Sequence, residues 1–360
     1  MTSPSLSHFT ALWLRIAVFA LIVLSCSGTT TPPVAAEPKE VVCFIYHRFG
    51  DSRYPSNNTP VADFDAHLAY LTKQGYQVLN FSDAIDYINS DKPAKKTAVI
   101  TIDDGYKSFF THGLPILKKY KLPATLFINT KSVSNGKDLM TWDDVKASMK
   151  SNVEIGNHTH SHAYFLNEPA ATRYETFKNE IDQSQAIIKE RLGITAKAFS
   201  YPYGEFDFKM KTIAEEAGFK AAAAQRSGVL YTGMDLFQCP RFPMSEAYSA
   251  KSKFIEKARM SALKITEQTP QDFILPPTKQ PILKLTFDPT DLRVDQLQCF
   301  IQGSKCNLTV LDKSKATVTL QATTPITRRR TLYTITVQDK SGTWHWYSHL
   351  WINPEVAGQD

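Results

Sequence analysis

Between residues 41 and about 265, short apolar runs alternate with segments of helical period. Val41–Tyr46, Tyr76–Phe81, Ala98–Ile102, Ala124–Asn129, Val153–Gly156, Ala196–Tyr201 and Lys220–Ala224 are short and mostly apolar, with little alternation. That pattern predicts strands buried on both faces. Helical spacing fills the gaps. Phe64, Leu68 and Leu71 share one face of Asp63–Gln74, which Gly75 ends. Further helices are expected over Asp83–Asn89 behind Ser82, up to Tyr120 past Pro115, over Trp142–Met149 behind Thr141, over 170–192, and from Asp207 to Ala217. Phe237–Phe242 reads as the last strand of the series. Repeated βα units imply a parallel sheet with helices outside it. Seven or eight units in roughly 220 residues fit a distorted (β/α) barrel over residues 41–270.

The pattern changes after residue 270. Pro276, Pro277 and Pro281 form a break. Beyond it lie alternating segments: Ile282–Phe287, Cys306–Leu311, Ala316–Leu320, Leu332–Val337 and Trp344–Trp351. They predict a small all-β sandwich of immunoglobulin-like type over residues 275–360, with Trp344, Trp346, Tyr347 and Trp351 in its core. Cys299 and Cys306 lie close together in a segment of hairpin character and are expected to pair. Cys43 and Cys239 remain, either as a pair on neighbouring strands or as buried free thiols.

At the N-terminus, Arg15 precedes the apolar run Ile16–Leu24. That run is too short to span a bilayer comfortably and has the length of a signal-peptide core. Residues 1–26 are therefore read as a signal peptide. Val23-Leu24-Ser25-Cys26 looks like a bacterial lipobox, which would leave Cys26 lipidated as the mature N-terminus; cleavage after Ala36 is the alternative. Residues 27–40, rich in Thr, Pro and Ala, read as a tether. The expected location is the periplasm or cell envelope, with membrane contact only through the lipid. The net charge of +6 is small for 360 residues, and Arg328-Arg329-Arg330 is the one dense basic run. It reads as a solvated face, so no nucleic-acid partner is expected. The chain is expected to be monomeric.

Two strings carry the chemistry. Thr101-Ile102-Asp103-Asp104-Gly105 ends one apolar run, and His158-Thr159-His160-Ser161-His162 follows another. His47, Asp103, Asp104, His158, His162 and Tyr203 all fall just after strand C-terminal ends, where barrels of this kind carry their sites. Asp104, His158 and His162 make a two-imidazole, one-carboxylate set. That mix suits one divalent ion, Zn²⁺ first and Co²⁺ or Ni²⁺ as alternatives, with positions left open. His160 could replace either imidazole, although in an extended stretch it points away from its neighbours. Asp103 and Asp104 diverge as they leave the strand, so one can hold the ion while the other takes a proton from water. His67 and His112 read as helix-surface residues, and Trp142 as packing.

These strings resemble the first two motifs of the polysaccharide deacetylases, carbohydrate esterase family 4, also called the NodB-homology domain. Ser200-Tyr201-Pro202-Tyr203-Gly204 is similar to the third, whose usual form is Arg-x-Pro-Tyr-Gly. The resemblance covers roughly residues 41–265. It implies Asp103 as general base, Asp104, His158 and His162 as metal ligands, and the Tyr203 backbone N–H as an oxyanion donor. Ser200 stands where the family usually has arginine. Arg241, in Cys239-Pro240-Arg241-Phe242, resembles the fourth-motif arginine and would orient Asp103. No fifth-motif Leu-x-His is found. Tyr46-His47 instead resembles the N-terminal Tyr-His of poly-N-acetylglucosamine deacetylases, which implies His47 as general acid. In a closed barrel the first and last strands are neighbours, which favours pairing of Cys43 with Cys239.

The function expected is that of an exported, metal-dependent hydrolase removing N-acetyl groups from a hexosamine-containing polysaccharide. The alternatives are an O-acetyl esterase on a carbohydrate polymer and a non-catalytic cell-surface carbohydrate-binding protein.

Overall fold

The structure is a computed structural model that describes residues 38–358. The signal peptide, the lipobox at Cys26 and nearly all of the tether lie outside the described residues. Among the described residues no helix is long and apolar enough to cross a membrane.

The sheet that carries the site is mainly parallel. Its first strand, Glu40–Tyr46, pairs in parallel with Thr97–Ile102 over Val41↔Thr97 to Tyr46↔Ile102. Ala124–Ile128, Val153–Asn157, Ala198–Ser200 and Ala221–Ala223 follow in spatial order, all parallel. The short strand Gln77–Leu79 flanks the start of Thr97–Ile102. The sheet then curls back on itself. Cys239 bridges Ala223, and Phe242–Pro243 pairs with Phe44 and Ile45. One segment thus joins the last strand to the first. An antiparallel strand, Val229–Tyr231, adds to the start of Glu40–Tyr46. This is the curled α/β architecture that the alternating pattern predicts. The strand residues are almost all buried, as strands covered on both faces must be.

Helix caps follow local chemistry. Thr141 accepts from the Asp144 N–H and the Asp144 carboxylate accepts from the Thr141 N–H, a reciprocal capping box for Trp142–Met149. Asp207 caps Phe208–Glu216 by accepting from Met210 N. The helix expected over Asp83–Asn89 behind Ser82 starts two residues earlier, at Phe81 behind Asn80.

Two four-stranded sheets follow. One orders Ser261–Ala262, Trp344–Ile352, Arg330–Gln338 and Gln298–Ile301; the other orders Ile265–Thr269, Ile282–Phe287, Thr317–Ala322 and Cys306–Asp312. Residues 261–269, upstream of the proline-rich break, are therefore strands of these sheets. Cys299 and Cys306 are disulfide-bonded. Cys43 and Cys239 are buried free thiols.

Trp344–Ile352 serves two cores at once. Leu350 and Ile352 belong to the barrel core, with Trp344 and Trp346 packed against it, whereas Trp351 belongs to the sandwich core, with Tyr347 against it. Strand residues alternate faces, so one strand can present even positions to the barrel and odd positions to the sandwich. The expectation that all four aromatics fill the sandwich is corrected for Trp344 and Trp346.

Two other expectations are corrected. His67 is fully buried, with Nδ1 on the Tyr46 hydroxyl at 3.0 Å, Nε2 on the Ser249 carbonyl at 2.6 Å, and its ring stacked on Phe254 at 4.0 Å. The helix Lys251–Ala258, which the periodicity did not announce, covers it. Burial pushes the His67 pKa down to about 4. The arginine run is a solvated face only at Arg328, which is exposed; Arg329 is buried against Glu205.

Candidate active site

Asp103 and Asp104 leave the C-terminal end of Thr97–Ile102 in different directions. Asp103 is fully buried. Arg241 grips it with Nη1 to Oδ1 at 2.8 Å and Nη2 to Oδ2 at 2.9 Å. The guanidinium also donates to Thr101 Oγ1 at 3.1 Å, Ser200 Oγ at 3.0 Å and the Ala224 carbonyl at 3.1 Å. Ser200 Oγ in turn donates to Asp103 Oδ2 at 3.2 Å. Burial alone would raise the Asp103 pKa, but the Arg241 guanidinium and the neighbouring His158 bring it below the usual carboxylate range. Asp103 is therefore ionised at neutral pH.

Asp104 turns the other way, on a left-handed backbone with φ 74°. Its Oδ1 lies 3.5 Å from His158 Nε2 and 3.4 Å from His162 Nε2, and those two nitrogens are 3.1 Å apart. Three ligand atoms thus converge within 4.8 Å of one another. His158 Nδ1 donates to the Ser200 carbonyl at 2.7 Å, which fixes the tautomer and leaves a lone pair on Nε2. Asp104 Oδ1 is buried and has no hydrogen-bond partner among the described residues. An orphaned carboxylate oxygen facing two imidazole nitrogens fits a divalent cation, and the donor set is one Zn²⁺ accepts. Burial pushes the His162 pKa down to about 4. Asp104 sits well below the usual carboxylate range: burial opposes ionisation, but His162 and His158 outweigh it. His160 is not in the cluster; its Nδ1 meets the Thr130 hydroxyl at 2.9 Å.

His47 follows Glu40–Tyr46 and is half-buried. It lines a cavity with Arg241, and its pKa is lowered by burial and raised in part by Asp104 and Asp103. His47 therefore stands within the electrostatic reach of both aspartates.

Tyr203 sits in the turn Pro202–Gly204 with φ 58°, its ring 4.4 Å from His162 and stacked at 3.6 Å on Tyr164. Gly204, at φ 70°, is obligatory: a Cβ there would lie 2.4 Å from Gln225 Cβ and 2.5 Å from its backbone nitrogen. Asp104, Thr159, His162 and Tyr203 all carry positive φ. Such strain in non-glycine residues persists where surrounding packing over-determines it, typically at functional sites.

Sequence reasoning missed what holds this turn. Arg329 donates to Glu205 Oε1 at 2.8 Å and Oε2 at 2.6 Å, to Asn167 Oδ1 at 2.6 Å and to the Val356 carbonyl at 2.6 Å. Arg330 Nη1 donates to the Tyr203 carbonyl at 2.9 Å. Only the arginine run itself signalled these residues. Tyr106 was also missed. Burial and Asp104 push its hydroxyl pKa up to about 12.

Residues 90–222 match the polysaccharide deacetylase family model. The Bacillus subtilis protein YxkH, which bears a polysaccharide-deacetylase name, is 25% identical over 217 residues, covering 60% of this chain and 75% of YxkH. The poly-beta-1,6-N-acetyl-D-glucosamine N-deacetylase of Staphylococcus aureus is 23% identical over 212 residues, covering 56% of this chain and 73% of that one. The fold is shared with the Streptococcus pyogenes deacetylase PplD, solved in complex with acetate: TM-score 0.56, 20% identity, 61% of this chain and 99% of PplD.

Proposed function

We propose that this polysaccharide deacetylase is exported, depends on a divalent metal and removes N-acetyl groups from a hexosamine-containing polysaccharide. The observation that carries the reading is the convergence of Asp104, His158 and His162 beside an ionised, arginine-held Asp103. A divalent cation bound by those three residues would polarise the acetyl carbonyl and acidify a water. Asp103 takes the proton from the attacking water. The water oxygen bonds to the acetyl carbon as the carbonyl pair moves onto oxygen, and the C–N bond breaks when that oxyanion collapses back to a carbonyl. The Tyr203 N–H donates to the developing oxyanion. His47 gives a proton to the leaving nitrogen, so the products are acetate and a free amine. Arg241 acts through Asp103 as a positioning residue, and Ser200 completes that bridge. Similarity to the S. aureus enzyme supports a poly-N-acetylglucosamine substrate.

The test is acetate release from a panel of N- and O-acetylated glycans, with and without chelator. Chelator-sensitive release from N-acetylglucosamine polymers is expected. Release from O-acetylated glycans alone would establish the esterase instead, and no release from any of them would leave a carbohydrate-binding protein.

A further inference from the structure

The seam between the curled sheet and the sandwich is open where it meets the site. One cavity of about 380 Å³ is lined by His47 and Arg241 on the barrel side and by Arg328 and Arg330 on the sandwich side. A second, of about 420 Å³, is lined by Phe300 and Trp346. The two share Met244, Tyr248, Gln302 and Leu332 in their linings, so they adjoin along one groove of the seam. Its walls carry Tyr248, 46% exposed, and Phe300, 54% exposed. What sets these two rings apart from other exposed apolar side chains is that both line the same cavity beside the site.

We propose that this groove binds the sugar units of the polymer on the leaving-group side of the scissile amide, stacking them on Tyr248 and Phe300, and that it takes acetylated rather than cationic units. The inference rests on the deacetylase reading. His47 is placed there as donor to the leaving nitrogen, so the sugar bearing that nitrogen must extend into the cavity His47 lines. Flat apolar faces flanked by hydrogen-bonding side chains suit pyranose rings, which present a C–H face and a polar rim. The cavity beside His47 has basic lining residues and, among the described residues, no acidic one. Farther out, Lys253 and Lys257 outnumber Glu256. An N-acetylglucosamine unit is neutral, whereas a deacetylated unit is an ammonium, which Arg328 and Arg330 in this lining disfavour, Arg241 being already paired with Asp103. The groove would therefore release product and retain unreacted chain.

The test titrates the chelator-treated full chain with a β-1,6-linked N-acetylglucosamine pentasaccharide and, separately, with its fully deacetylated counterpart. Wild type should prefer the acetylated form. Tyr248→Ala with Phe300→Ala should weaken that binding roughly tenfold or more, as loss of aromatic anchors does. Arg328→Glu should raise affinity for the deacetylated form. Both rings are exposed, so the variant should fold, and unchanged circular dichroism and an unchanged urea-unfolding midpoint check that. No pentasaccharide binding by wild type, or equal binding by the double variant, overturns the groove. Loss of acetate release by wild type from every substrate would instead overturn the deacetylase reading, while the titration still judges the groove.

Discussion

Removing the Arg329 guanidinium tests whether the sandwich holds the active-site turn. Glu205 is 4% exposed and its two oxygens receive both prongs of the fork. Arg329→Met keeps the apolar stem but leaves that carboxylate buried with only Arg330 Nε nearby, at 3.9 Å. Breaking one side of a buried ion pair costs about 3–5 kcal/mol, because the remaining charge is uncompensated. That is a large share of the roughly 5–15 kcal/mol that keeps a domain folded. Urea unfolding followed by tryptophan fluorescence should therefore show a much lower midpoint. Adding Glu205→Gln should recover part of the loss, since a neutral amide tolerates burial without an ionic partner. The functional readout is kcat/KM. Glu205 lies two residues beyond Tyr203, and a displacement of about 1 Å at a positioned group can cost on the order of 10²-fold in rate. Exposed Arg328, mutated to Ala, is the control and should change stability by no more than about 0.5 kcal/mol. If Arg329→Met matched that control in stability and wild type in kcat/KM, the clamp would be a contact without consequence. If only stability fell, the turn would be held by other contacts and Arg329 would be purely structural.

His158→Ala should strip the divalent metal and the activity together, measured by elemental analysis of the purified protein and acetate release; full metal content would refute the ligand assignment. Asp103→Asn should retain metal yet lose roughly 10²–10⁴-fold in rate, because the amide cannot accept the proton. The pH dependence follows from signs: Asp103 must be ionised and lies below the usual carboxylate range, so the acid limb falls at low pH. His47 must be protonated and lies below the ordinary imidazole value of 6.5, so amide hydrolysis falls as pH rises through that lowered pKa. In His47→Ala the alkaline limb should vanish and amides should suffer more than esters; an unchanged limb assigns the donor elsewhere.

How much of this was legible in the sequence depended on the range of the interaction. Thr141 and Asp207 cap their helices through N–H groups three residues on, so their roles are local and the caps were read in advance. The barrel strands declared themselves because burial on both faces leaves an unbroken apolar run. His67 was misread because its burial comes from a helix about 190 residues later, through contacts such as that with Ser249, 182 positions away. Arg329 meets Glu205 across 124 positions, and no periodicity encodes such a pair. Left-handed backbone at Asp104, Thr159, His162 and Tyr203 was equally invisible, since none of them is glycine.

Ser200 shows how a departure from a family pattern is absorbed. An arginine expected at that position would have placed a second guanidinium near Asp103. Serine leaves Arg241 as the cation that fixes both Asp103 oxygens. The serine hydroxyl accepts from Arg241 and donates to Asp103, while its carbonyl orients His158. One residue therefore ties the Asp103 carboxylate to the His158 imidazole through a single strand end. Ser200→Ala removes the hydroxyl bridge but keeps the carbonyl, so it should lower the rate with metal content unchanged. Loss of metal in that variant would mean that the hydroxyl, and not the backbone, holds the two halves of the site in register.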